Sequence, residues 1–118
     1  MDKLQFAALA KAMVNSITTL VDKHLTADVT WCPVPREEGL AMEKSIVNAR
    51  SATRDAVAAD PALKELADRI DSVADYTLAS FNGLEGCEDE ACAMHGGRAG
   101  SARNQAKGIT LELTRLGL

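Results

Sequence analysis

Four stretches of this chain repeat apolar residues at alternating intervals of four and three, a rhythm that leaves little room for anything but helices. Phe6, Ala10, Met13, Ile17 and Leu20 form the first series, and Met42, Ile46, Ala49, Thr53 and Ala56 the second. Leu63, Leu66, Ile70, Val73 and Thr77 form the third, and Ala102, Ala106, Ile109, Leu113 and Leu116 the fourth. An α-helix turns once in 3.6 residues, so residues at these intervals stack on one side. The spacing predicts helices over about 2–25, 36–59, 61–81 and 101–116. Val14, Val21 and Leu25 widen the first stripe, while Leu40, Val47 and Val57 lie beside the second.

Local signals mark the ends. Pro33 and Pro35 exclude regular helix between the first two segments and push Cys32 and Val34 toward extended backbone. Trp31, in the same connection, is expected to cover one end of the core. Asp60-Pro61 opens the third helix, because Asp can cap free N–H groups and Pro suits the first helical position. Asn82-Gly83 closes that helix, since Gly takes the left-handed backbone that ends helices. The last segment has two readings. Ile109 to Thr114 alternates as a strand would, and Gly108 weakens a helix interior by about 1 kcal/mol. Helix is preferred because no other stretch offers a strand to pair with.

Aromatic residues make up only 3% of 118 residues, against 47% hydrophobic, so Ala, Leu, Ile and Val must build the core. That composition favours close-packed helices. The fold class expected is all-α, a four-helix bundle-like single domain with a cysteine-containing loop at 84–100 between the third and last helices. The length suits one domain with a modest core.

That loop is the stretch that suggests specific chemistry. Cys87 and Cys92 lie five positions apart, His95 follows three later, and Cys32 is the remaining cysteine. Three thiols and one imidazole form a complete tetrahedral ligand set, so Cys32, Cys87, Cys92 and His95 are the candidate ligands of a structural Zn2+. His24, eight residues before Cys32, is the reserve ligand; its place on the first stripe also suits a partly buried packing residue. Glu88, Asp89 and Glu90 add repulsion to the site, yet carboxylates also orient ligands. Other readings of the same residues are free thiols with a surface histidine, a Cys87–Cys92 disulfide, a redox couple, an iron–sulfur site, or a cysteine nucleophile paired with His95. Ligation of zinc by four protein atoms would leave no position open for water. The H-E-x-x-H, G-x-x-x-x-G-K and G-x-S-x-G patterns are absent from the sequence, so a non-enzymatic role is expected.

The formal charge is −4, which argues against a general nucleic-acid binder. Residues 61–97 carry eight acidic and two basic side chains, whereas residues 98–118 carry four basic and one acidic. Arg98, Arg103 and Lys107 in that basic tail are candidate anion contacts. No stretch approaches the roughly 18 consecutive apolar residues of a membrane span. Asp2 interrupts any signal-peptide layout, so no membrane association and a cytoplasmic location are expected. Together these readings point to a small zinc-stabilised helical protein that binds and regulates or inhibits another protein. A nucleic-acid-binding regulator using the basic last helix is the first alternative, and a metal- or redox-responsive sensor the second. A homodimer through the small-residue or terminal helix is a further expectation.

Overall fold

A computed structural model describes residues 2–25, 34–81 and 93–118 of the chain, without the side chains of residues 81 and 93–95. The described residues are mostly helical and contain no strand. In order they form α1 (Lys3–His24), α2 (Arg36–Ser51), α3 (Thr53–Ala59), a 3-10 turn (Pro61–Leu63), α4 (Lys64–Phe81) and α5 (Ala93–Arg115). The last segment is therefore helix, not strand.

The four-three rhythm is the inward side of each helix. Phe6, Ala10, Met13 and Ile17 of the first stripe have no exposed surface, and neither do Ile46, Ala49, Leu66, Ile70, Ala102, Ala106 and Ile109 of the others. The helix α1 packs on α2 and α5, and α4 packs on α5 and α2, which closes a four-membered ring. The result is a long, narrow bundle of 46 × 22 × 17 Å between Cα extremes.

Three of the helix ends have a direct physical cause. The Asp2 carboxylate accepts from the Gln5 N–H at 2.8 Å while the Gln5 side chain accepts from the Asp2 N–H at 3.1 Å, a reciprocal cap that starts α1. Asp60 accepts from the Ala62 N–H at 3.0 Å, with Pro61 at the first position, as its sequence predicts. The turn that follows is 3-10 over Pro61–Leu63 before α4 begins at Lys64. Past α5, Gly117 takes φ +74°, and the Leu118 and Gly117 N–H groups donate to the carbonyls of Leu113 and Thr114. That paired closure requires a left-handed residue, which glycine supplies without steric cost.

The structure corrects the expected elements in three places. The helix expected over 36–59 is interrupted at Ala52, which carries φ −90° and ψ −11°. There the Thr53 hydroxyl donates to the Arg50 carbonyl at 2.9 Å and the Ser51 hydroxyl to the Asn48 carbonyl at 3.0 Å. Hydroxyls that bond back to the preceding turn compete with the backbone ladder and bend it.

The loop expected over 84–100 ends early, because α5 begins at Ala93 and takes in Gly96, Gly97 and Gly100. Glycine disfavours helix, but packing overrides propensity here. Gly96 and Ala99 are buried and carry the α5 stripe a full turn upstream of Ala102.

Finally, α1 is apolar enough to cross a membrane by length and composition, with a mean hydropathy of 1.3 over its most apolar 18 residues. Its alanines and its long run with only Lys11 charged raise that mean, which counting uninterrupted apolar residues misses. In the bundle its apolar side packs on α2 and α5, and Lys11, Asn15, Thr19 and Asp22 are exposed on the other.

Candidate functional site

The antiparallel run of the helices brings two connections to one end. At the far end, Arg115 of α5 reaches Glu65 of α4 at 3.5 Å. At the near end, Arg103 of α5 pairs with Asp22 of α1 at 2.8 Å. A Cβ added at Gly100 would stand 4.0 Å from a Leu25 methyl. Lys23 and His24, in the last turn of α1, both reach Glu38 in the first turn of α2. The chain therefore leaves α1 at Leu25 and returns at Val34, and leaves α4 at Phe81 and returns at Ala93, all at the same end.

Cys32, Cys87 and Cys92 fall within these two connections and lie outside the described residues, as does Trp31. His95 is placed in the first turn of α5 and not in an irregular loop. Among the described residues no group of three His, Cys, Asp or Glu side chains is arranged to hold a metal ion. The reserve ligand His24 is engaged: its Nε2 lies 2.8 Å from Glu38 Oε2, and its side chain is 13% exposed. Hydrogen bonds from Lys23 and then His24 hold the Glu38 carboxyl below its ordinary value. The cluster sits where a helix C-terminus meets a helix N-terminus, so the Lys23 ammonium on α1 and a carboxylate on α2 each face a favourable dipole end.

Of the candidate anion contacts, Arg98 and Lys107 are exposed, while Arg103 pairs with Asp22 and its buried Nε has no hydrogen-bond partner among the described residues. Arg115 is held by Glu112, with its Nε donating at 2.9 Å. Glu112 is 5% exposed; the Arg115 hydrogen bond keeps its carboxyl below the ordinary value despite the cost of burial. The Arg69 guanidinium lies across α5 beside Gly108, where an added Cβ would come within 3.3 Å of it. Sequence reasoning missed this acid–base set, although Glu112, three residues before Arg115, was a visible cue.

Two surfaces remain. A shallow groove of about 490 Å³ and mixed character runs between α4 and α5, with Glu65, Asp68, Arg69 and Val73 on one side and Asn104 and Gln105 on the other. Elsewhere, large apolar side chains face solvent: Leu40 is 51% exposed and Val47 47%, both on α2, while Leu4 on α1 is 68% and Leu111 on α5 72% exposed. Leu40 and Val47 were expected beside the core stripe; at 100° per residue they fall instead on the side away from Met42, Ile46 and Ala49. The chain matches no protein-family model, no curated protein and no solved structure.

Proposed function

We propose that the chain is a non-enzymatic helical module that docks on another protein through the outward side of α2, and that a structural Zn2+ held by Cys32, Cys87, Cys92 and His95 fastens its two connections together. The observation that carries the docking reading is the pair Leu40 and Val47. They stand two helical turns apart on one line of one helix and are about half exposed, whereas the other large exposed apolar side chains, Leu4 and Leu111, lie on two different helices. Side chains of that size left in water cost free energy that a partner's surface would recover.

The metal reading is supported by chain geometry and ligand chemistry. Both cysteine-bearing connections start and finish at one end of the bundle, and three thiolates with one imidazole suit zinc. The backbone of His95 lies in the first turn of α5, at the same end of the bundle. Closing those connections on one ion would restrict the unfolded chain across a long loop. The nucleic-acid alternative draws less support, because Arg103 and Arg115 are already engaged within the chain.

Affinity capture tests the docking reading. A partner recovered in stoichiometric amount by the wild-type chain is expected to be lost from a folded Leu40→Glu chain; equal recovery by both would reject α2 as the docking side. Elemental analysis tests the metal separately. About one zinc per chain is expected in protein prepared without chelator, and Cys92→Ser is expected to lower the thermal midpoint and the zinc content together. Protein that folds to the same midpoint with no bound metal would remove zinc from the account.

A further inference from the structure

The outward side of α2 carries a continuous strip of six exposed residues: Arg36, Glu37, Leu40, Glu43, Lys44 and Val47. By helical position, Arg36 and Glu43 flank the Leu40–Val47 line on one side, and Glu37 and Lys44 flank it on the other. None of these four charged residues has an ion-pair partner among the described residues, whereas Arg50, one turn further on, is taken up by Asp75 at 2.5 Å. Each flank thus carries one acid and one base in the order opposite to the other flank.

That order is complementary to itself. We infer that this strip pairs with the α2 strip of a second copy of the chain, the two helices running parallel about a two-fold axis that lies between and along them. The inference rests on the reading of α2 as a docking side and names its occupant. Such an axis carries the left flank of one helix onto the right flank of the other at the same height. Glu43 then stands opposite the second copy's Lys44, and Arg36 opposite its Glu37, each twice by symmetry. Leu40 and Val47 meet their own counterparts along the seam, as apolar residues seven apart do in paired helices. An antiparallel pair that matched Leu40 to Val47 would instead set Glu43 beside Glu43 and Lys44 beside Lys44, which is repulsive. The strip is short, so the association is a weak one that depends on concentration.

Sedimentation equilibrium of the full chain up to about 1 mM tests this, with circular dichroism confirming that each variant folds. A monomer–dimer equilibrium is expected, abolished by Leu40→Glu. Glu43→Lys alone and Lys44→Glu alone are each expected to weaken it at least about tenfold. The two together should return it to within about threefold of wild type, because the pairs re-form with their signs exchanged. A chain monomeric at every concentration overturns the inference, as does a dimer indifferent to Leu40→Glu or a double variant no better than either single. A monomer that loses a different captured protein on Leu40→Glu also overturns it, while leaving the docking reading intact.

Discussion

Thr77 occupies an inward position of α4 with no exposed surface, and its hydroxyl has no hydrogen-bond partner among the described residues. An unpaired hydroxyl in an apolar setting costs about 1–3 kcal/mol relative to one that water can reach. Valine keeps nearly the same shape without that group. Thr77→Val is therefore expected to stabilise the chain by about 1 kcal/mol, read as a higher urea midpoint at unchanged slope. A lower midpoint would mean that the hydroxyl is satisfied in solution. Thr77 was legible from spacing alone as an inward residue. Leu40 and Val47 were not legible as outward ones, because apolar identity says a residue would gain from burial and not whether a neighbour is there to bury it.

At the scale of elements, the helices were readable because each stripe had a regular spacing, and the least readable points were where short polar side chains or small residues set the local outcome. Asp60 shows the first case going well: its cap lies where Asp-Pro predicts it. Asp60→Ala removes the acceptor for the Ala62 N–H and is expected to cost about 1 kcal/mol, with a matching drop in urea midpoint. No change would place the start of α4 under the control of packing alone. Ala52 and the start of α5 show the other case. A hydroxyl bonding back to Arg50 interrupts one helix, and the burial of Gly96 and Ala99 accompanies the extension of another through three glycines. Neither depends on residue identity alone; both need to know which surface lies across the way. The metal site was legible only as a donor set, since spacing cannot say whether four donors meet. Of its expected residues, His95 changes setting from loop to helix, and the reserve ligand His24 is engaged with Glu38.

For the molecule as a whole, two acid groups tie its helices together at opposite ends: Glu38 joins α2 to α1, and Glu112 joins Arg115 and reaches toward Arg69 of α4 at 4.0 Å. Both carboxyls lie below their ordinary value near 4.5, Glu38 through Lys23 and His24, Glu112 through Arg115. The unfolded chain then binds protons more readily than the folded one. Their stabilisation is fully present above about pH 4.5 and disappears as pH falls through the lowered folded values. The thermal midpoint should drop on acidification below about pH 4.5, and drop less steeply in a Glu112→Gln chain. An equally steep fall in that variant would shift the cause to other carboxylates. A different consequence follows from the upstream half of α5, where Gly96, Ala99, Ala102 and Ala106 are all buried. At that end α5 brings no side chain larger than a methyl into the interior it shares with α1 and α4, so there is almost nothing to trim. A larger side chain at Ala102 or Ala106 is expected to push a neighbouring helix aside.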